Sequence, residues 1–175
     1  DKNLFYSADG LALLSDTAQE FLAGTLRSIN GLTALFNADD NSYERMKPGF
    51  EAPSFGAWGR SNRTCTARVP VIGKGQEKQQ RVELRSPDLM LNPHLSYLGL
   101  MTAGLSGIRD GLKLQPETTE NLFNLTDTQV AMRGIPKLPG SKAAALEAFA
   151  KDAELLAGLG DEMHQAYIEL KSGTG

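Results

Sequence analysis

The stretch at residues 41–85 reads NSYERMKPGFEAPSFGAWGRSNRTCTARVPVIGKGQEKQQRVELR, and the rest of the chain is organised around it. Its last five residues, RVELR, are the easiest to interpret physically. Side chains on a β-strand alternate between the two faces, so Arg81, Glu83 and Arg85 are expected on one face. Guanidinium groups bind carboxylates and phosphates bidentately, and a carboxylate is a hard oxygen ligand for Mg²⁺ or Mn²⁺. This face therefore suits a polyanion with a metal ion; a solvated face with ordinary ion pairs is the alternative.

Composition limits the classes of protein that remain. The chain has 175 residues, 41% hydrophobic and 22% charged, which is typical of one globular domain with a real core. The formal net charge of −3 gives no general attraction to nucleic acid. Cys65 has no second cysteine to pair with, which favours a reducing compartment. No stretch is long and apolar enough to predict a membrane helix, and no signal-peptide pattern is present. Because the first residue is Asp1, we expect a piece of a longer protein.

Strands and a loop are predicted in the organising stretch. Residues 41–53 contain prolines and a glycine, which predicts a loop; carrying Arg45 and Glu51, it is either a lid over a ligand or a surface connection. Residues 55–58 and 65–72 are predicted strands. Arg63 and Arg68 lie an odd number of positions apart, so a regular strand would point them to opposite faces. Either Arg63 precedes its strand on a loop, or a bulge intervenes.

Helices are predicted on both sides of this stretch. Residues 3–14 favour a short hairpin, and apolar spacing predicts a helix from Ser15 to about Asn37. Asn92 and Pro93 begin a helix whose small residues allow another backbone to approach closely, and this helix is expected to be buried against the sheet. Residues 113–140 are predicted to be extended with one helical turn near Thr126, and helices capped by Ser141 and Asp161 follow, with a break at residues 158–160. Neither histidine has partners at metal-ligand spacing, so both are interpreted as ordinary helix residues.

A succession of motifs carries a family resemblance. NSYER (41–45), PGFEAP (48–53), SNRT (61–64), ARVP (67–70), RVELRSPD (81–88) and NPHL (92–95) occur in this order. Together they resemble the C-terminal catalytic part of glutamine synthetase, in which the matching stretches read approximately N-S-Y-K-R-L-x-P-G-Y-E-A-P, R-N-R-S, R-I-P, R-x-E-x-R-x-P-D and N-P-Y-L. The resemblance spans nearly the whole chain. It implies an α+β fold with antiparallel strands that carry the active-site residues and helices packed on one side.

The resemblance also implies a reaction and a set of glutamate-binding residues. In this family ATP phosphorylates the γ-carboxylate of glutamate, and ammonia then attacks the γ-glutamyl phosphate. Carried over by motif, Arg45 binds the substrate carboxylate. Glu51 lies on a flap that closes over the intermediate and takes the proton from ammonium. Arg63 contacts the transferring phosphoryl group and the substrate, and Arg85 binds glutamate near that group.

Nucleotide and metal sites follow from the same motifs. Arg63, Arg68, Lys78 and Arg81 are implied to bind ATP, and Glu83 is implied to bind Mg²⁺ or Mn²⁺. Phosphoryl transfer depends mainly on positioning and on cations near the developing charge, which agrees with arginines around a metal-binding carboxylate. Neither nucleic acid nor a membrane is expected as a partner; a cytoplasmic homo-oligomeric ring is implied for the full-length parent.

Departures from the family pattern leave alternatives open. Residues 1–175 are expected to be the C-terminal part of a catalytic domain that lacks the N-terminal domain, the first catalytic half and a final segment, so the isolated fragment is expected to be inactive. Phe123 occupies the position of the tyrosine that some bacterial enzymes adenylylate. Ser86, where the family often has phenylalanine, and Gly59 leave the acceptor amine open. A γ-glutamyl ligase for a polyamine or methylamine, or a non-catalytic anion-binding or assembly module, are the alternatives.

Overall fold

The computed structural model of the chain describes residues 2–47 and 52–173. In chain order the regular elements are α1 (Asp16–Arg27), α2 (Ile29–Phe36), α3 (Asp40–Glu44), β1 (Trp58–Arg60), β2 (Ala67–Val69), β3 (Glu83–Leu84), α4 (Pro93–Arg109), α5 (Asp127–Ala131), α6 (Lys142–Ala150), α7 (Ala153–Leu159) and α8 (Asp161–Ser172). Short 3₁₀ turns lie at Leu11–Leu13, Glu77–Gln79 and Leu122–Asn124. The predicted α+β class is confirmed. No helix in the described part of the chain is long and apolar enough to cross a membrane.

The three strands form a mixed sheet in the order β1-β2-β3. β2 and β3 are antiparallel as expected, but β1 and β2 are parallel, which corrects the prediction of antiparallel strands throughout. Parallel neighbours usually need a long crossover. Here β1 and β2 have three residues each, so the short loop at 61–66 is long enough to return the chain to the starting edge.

Cross-strand register divides the sheet into an apolar face and a charged face. Ala67 lies opposite Leu84, and both pack in a core cluster with Leu22 and Leu26 of α1. Trp58, fully buried, joins the same cluster. Residues on the opposite face therefore point away from α1, as the prediction of helices on one side requires.

The N-terminal helical region is split where the sequence predicted one helix. The backbone leaves helical geometry at Ser28, with φ −95° and ψ 9°, and α2 begins at Ile29. α1 packs against the sheet, whereas nearly all of α2 is buried against α6 and its neighbours. The bend lets the two helices serve different core clusters. The predicted hairpin at residues 3–14 is reduced to one bridge between Tyr6 and Leu14 around a 3₁₀ turn.

Three helix starts in the second half agree with the sequence. Asn92 caps α4, Ser141 caps α6, and a capping box at Thr126 starts α5. The predicted cap at Asp161 is wrong, because α8 begins at Asp161 itself, with Gly160 before it and no side-chain cap. The last helical region has an additional break, because the side chain of Asp152 caps α7 after α6 has ended. His164 is buried, donates a hydrogen bond from Nε2 to the Phe149 carbonyl oxygen (3.0 Å) and stacks on the Phe149 ring.

Helices α1 and α4 cross at glycines. The small residues of α4 allow a close backbone approach as predicted, but the neighbour is the helix α1 and not the sheet. A Cβ built on Gly107 would lie 2.2 Å from the Glu20 carbonyl oxygen and 2.7 Å from the Gly24 Cα. These neighbours are backbone atoms, which cannot rotate away. The approach of the two helices therefore depends on the absence of side chains at the crossing.

We expect the substitution Gly107→Ala to destabilise the protein by about 1–3 kcal/mol, because the added methyl group forces α1 and α4 apart. Urea unfolding measures this change. Gly140→Ala is the matched control, since nothing lies within 4 Å of its Cβ position; we expect a change of less than about 0.5 kcal/mol there. Equal stability of Gly107→Ala and the wild type would contradict the close crossing.

Candidate active site

The charged face of the sheet is built by the pairing of β2 with β3. Arg68 lies directly opposite Glu83, and Gly59 lies opposite Arg68 on β1. The guanidinium group of Arg68 is 3.5 Å from a Glu83 carboxylate oxygen, and that of Arg81 is 2.7 Å from the other oxygen. Arg68, Arg81 and Glu83 therefore form one cluster, which we call the Glu83 cluster.

Exposure of the Glu83 cluster determines what it can do. The side chains of Arg68 and Glu83 are 28% and 30% exposed, and that of Arg81 is 52% exposed. Exposed ion pairs contribute only about 0–1 kcal/mol each, so these contacts can be exchanged for a ligand at small cost. Nε of Arg68 is buried and has no hydrogen-bond partner among the described residues. The cluster holds more cations than carboxylates and can bind an anion.

Arg85 extends this region along the third strand. Its backbone N–H donates to the Thr66 carbonyl oxygen (2.8 Å), which continues the pairing of β3 with the segment before β2. Its side chain is half-buried, and its positive charge acts on the Cys65 thiol. The predicted placement of Arg81, Glu83 and Arg85 on one face is supported by the direct contact of Arg81 with Glu83. The regular strand itself contains only Glu83–Leu84.

Arg45 shapes the loop that follows the third strand. Its guanidinium group donates to the Ser86 carbonyl oxygen (2.9 Å), to the Pro87 carbonyl oxygen (3.4 Å) and to Oδ1 of Asn37 (3.3 Å). A cavity of about 440 Å³ lies beside it, lined by Arg45, Pro87, Asp88, Leu89 and Met90. Arg45 thus links the helical segment before it to the loop after β3.

The remaining predicted residues occupy three different places. Arg63 is exposed on the turn before β2, so the loop alternative is correct and no bulge is needed. Lys78 is exposed in a 3₁₀ turn. Glu51 lies outside the described residues, as does most of the PGFEAP motif. Residues 41–44, predicted as the start of the loop 41–53, belong to α3 instead. Asp39 precedes this helix in extended conformation, and Asp40 occupies its first turn.

Asparagine side chains that the sequence analysis did not select hold these segments in place. Nδ2 of Asn3 donates to the carbonyl oxygens of Glu77 (3.1 Å), Lys78 (3.3 Å) and Gln80 (2.8 Å). Asn62 binds two carbonyl oxygens of a distant segment in the same way. The only local signal is the Asn-x-Thr pattern at Asn62, which is typical of a side chain that accepts from the N–H two residues later. Their long-range partners have no sequence signature.

A divalent metal does not fit the described residues by themselves. Mg²⁺ and Mn²⁺ require several oxygen ligands. Within residues 2–47 and 52–173, no group of three or more His, Cys, Asp or Glu side chains could hold a metal ion. Glu83 is also held between two arginines. A metal at Glu83 would need ligands from polypeptide beyond these residues.

The fold and the charged face of the sheet indicate a class of protein even without comparison with known proteins. A small mixed sheet has one face packed on helices and the other face lined with arginines around a carboxylate, next to an arginine-bound loop and cavity. This arrangement is typical of a catalytic domain, or part of one, that acts on anionic substrates.

Comparisons with known proteins identify the family. Residues 1–173 match the family model described as glutamine synthetase, catalytic domain. The chain is 38% identical over 172 residues to a glutamine synthetase of Mycolicibacterium smegmatis, covering 98% of this chain and 38% of that protein. It is 37% identical over 172 residues to one of Sulfolobus acidocaldarius, covering 97% of this chain and 36% of that protein. The chain therefore belongs to the glutamine synthetase family and spans less than two-fifths of the length of these relatives.

Solved structures show the same fold. The structure described as a GmaS/ADP complex superposes with a TM-score of 0.82 at 30% identity, covering 98% of this chain and 38% of that one. Apo GmaS without ligand gives a TM-score of 0.82 at 31% identity, covering 98% and 37%. The resemblance to this family is thus confirmed, and the chain matches a part of each relative.

Cys65 provides a chemical probe of this region. The side chain is fully buried, and burial raises the pKa of its thiol from 9.0 to about 12, although hydrogen bonds with Thr118 and Thr64 and the charge of Arg85 act in the opposite direction. Desolvation therefore outweighs the nearby cation, and the thiol stays protonated at neutral pH.

We expect Cys65 of the folded protein not to react with iodoacetamide at pH 8, and to react once urea unfolds the chain. Mass spectrometry of the alkylated peptide measures this difference. Because the unfolded thiol ionises near pH 9 and the folded one near pH 12, this group also lowers the free energy of unfolding as pH rises through that interval. Rapid labelling without denaturant would contradict the buried position.

Proposed function

We propose that this chain is the C-terminal part of the catalytic domain of an ATP-dependent glutamate–ammonia ligase, which forms glutamine through γ-glutamyl phosphate. Membership of the family supports a ligase of this kind. The observation that carries the proposal is the Glu83 cluster on the open face of the sheet, at the position of the RVELR motif. Its exposed cations are available to phosphate oxygens, and its carboxylate is available as one metal ligand.

Each predicted residue has a role in this proposal. Arg68, Lys78 and Arg81 bind the phosphates and nucleotide of ATP, and Arg63 contacts the transferring phosphoryl group together with ATP and glutamate. Arg45 and Arg85 bind glutamate, and Glu51 takes a proton from ammonium. Positive charge fixed before the reaction stabilises the negative charge that develops on the transferring group, which is the main protein contribution to phosphoryl transfer.

Two observations bear on these assignments. The ADP complex among the structural relatives supports a nucleotide as the ligand of this fold. Arg45 is already bonded to the carbonyl oxygens of Ser86 and Pro87, so it holds the loop beside the cavity as well as offering its charge to a carboxylate. The cavity of about 440 Å³ that it lines is large enough for a small amino acid.

The proposal also includes the metal ions, the oligomeric state and the cellular location that are expected from the family. Members of this family use divalent metals, and Glu83 is proposed as one Mg²⁺ or Mn²⁺ ligand, with the others supplied by polypeptide beyond the described residues. A homo-oligomeric ring in the cytoplasm is proposed for the full-length parent, and its activity is expected to be lost from the isolated chain. A single cysteine agrees with a reducing compartment.

A second candidate is a γ-glutamyl ligase for another amine, such as methylamine or a polyamine. Ser86 is fully buried, and its hydroxyl has no hydrogen-bond partner among the described residues. The family often has phenylalanine at this position, so the smaller polar Ser86, next to Arg85 in sequence, is the difference that leaves the acceptor amine open.

Phosphate release by the full-length parent tests both candidates. We expect release that requires ATP, glutamate and Mg²⁺ and that is fastest with ammonium, compared with methylamine and putrescine at equal concentration. Release that is fastest with one of the other amines would establish the second candidate. No release with any amine would contradict both and favour an anion-binding module without the reaction.

We expect Arg85→Lys in the full-length parent to lower kcat at least about tenfold, because an ammonium group cannot reproduce bidentate binding of a carboxylate or phosphoryl group. Steady-state phosphate release measures this loss. Arg109→Lys is the matched control, since Arg109 makes exposed ion pairs with Asp110 and Glu154 away from the sheet; its kcat should stay within about twofold. Equal turnover in Arg85→Lys and wild type would remove Arg85 from the site.

A further inference from the structure

The turn between β1 and β2 presents Arg63. Arg63 is exposed and makes no hydrogen bond or ion pair with the described residues. Ser61 at the start of the turn has φ 51°, a left-handed conformation that is unfavourable for a residue other than glycine. The position of Arg63 therefore depends on whatever holds the backbone of residues 61–64.

Asn62 holds that backbone with its whole hydrogen-bonding capacity. Its Nδ2 donates to the carbonyl oxygens of Thr118 (2.9 Å) and Glu120 (2.9 Å). Its Oδ1 accepts from the N–H of Thr64 (3.0 Å) and from the Thr64 hydroxyl (2.7 Å). An amide side chain can make four hydrogen bonds of this kind, and Asn62 makes all of them. The two bonds to Thr64 close the turn around Arg63, and the two bonds to Thr118 and Glu120 attach the turn to residues 117–122.

Residues 117–122, which we call the strut, are fixed at both ends. At one end Thr118 donates its N–H to the Trp58 carbonyl oxygen (2.9 Å), and the Glu117 carboxylate accepts from the backbone N–H of Arg60 (3.0 Å). At the other end Leu122, fully buried, donates its N–H to the Thr64 hydroxyl (3.1 Å). The strut is therefore anchored in the core and bonded along the length of the turn.

Close packing leaves little freedom between turn and strut. A Cβ built on Gly59 would lie 2.4 Å from the Thr118 carbonyl oxygen, which is the same oxygen that accepts from Asn62. Glycine at this position lets the strut approach the sheet. The close approach therefore explains the glycine at position 59 without reference to the acceptor amine. Residues more than fifty positions away in sequence thus fix the backbone that carries Arg63.

We propose that Asn62 is a positioning residue for Arg63: by tying the turn to the strut, it holds the guanidinium group where the transferring phosphoryl group passes. This inference rests on the proposed function, in which Arg63 contacts that group. A displacement of a catalytic group by about 1 Å can cost about a hundredfold in rate. The effect of Asn62 on catalysis is transmitted entirely through Arg63.

A double-mutant cycle in the full-length parent tests this transmission. We expect Asn62→Ala to lower kcat about 10- to 100-fold, with a smaller change in KM for ATP and for glutamate. In an Arg63→Ala background, Asn62→Ala should cause no further loss of kcat, because the group that it positions is already absent. The same fold loss in both backgrounds would overturn the proposal.

Asn92→Ala is the matched control. Asn92 also accepts from two backbone N–H groups, those of His94 and Leu95, but it caps α4 and does not contact the turn. We expect its kcat to stay within about twofold of wild type. A loss as large as that of Asn62→Ala would assign both effects to general destabilisation and overturn the specific role.

Hydrogen exchange separates this proposal from the proposed function. In Asn62→Ala, amide exchange should accelerate both at residues 61–64 and in the strut, whereas Asn92→Ala should leave both segments unchanged. If the wild-type parent releases no phosphate, the proposed function fails, and the exchange result alone decides whether Asn62 ties the turn to the strut. Unchanged protection in both segments would overturn the tie.

Discussion

The register of β2 against β3 is the constraint on which the rest of this structure depends. Arg68 faces Glu83 on one side of the sheet, and Ala67 faces Leu84 on the other, where the apolar cluster with α1 begins. A shift by one residue would bury two charged side chains and expose the apolar pair. Burial of the apolar face therefore fixes the charged face, and the same core contacts that stabilise the sheet determine which arginines meet Glu83.

A sheet with such short strands cannot hold its own geometry, and the segments around it supply the missing contacts. Asn3 binds the turn that carries Lys78, Arg45 binds the loop after β3, and Asn62 binds the strut. Each contact joins a candidate functional segment to a part of the chain that is distant in sequence. All three side chains donate hydrogen bonds to backbone carbonyl groups, which gives these partly buried groups a partner and positions the loops at the same time.

Much of the fold could be predicted because it rests on local signals. The caps at Ser15, Asn92 and Ser141 and the small residues of α4 specify helix starts and close packing by the chemistry of single side chains. The predictions failed where tertiary packing determines where a helix ends or how two strands pair. Ser28 and Asp152 each divide a region that periodicity predicted as one helix. At Ser28 the two halves pack in different core clusters, whereas at Asp152 both halves pack in the same cluster and the aspartate side chain starts a new helix. The parallel pairing of β1 with β2 likewise depends on strand shortness and a tied loop, which alternation of residues cannot reveal.

The sequence by itself determined the family, the α+β class and the set of arginines with one carboxylate, since motif order and side-chain chemistry are properties of the linear chain. Only the tertiary structure decided that Glu83 lies between Arg68 and Arg81, that burial keeps the Cys65 thiol protonated despite a nearby cation, and that Asn62 binds residues more than fifty positions away. The physical reason is that ion pairing, desolvation and long-range hydrogen bonding depend on distances in space. These distances are set by the packing of the whole chain.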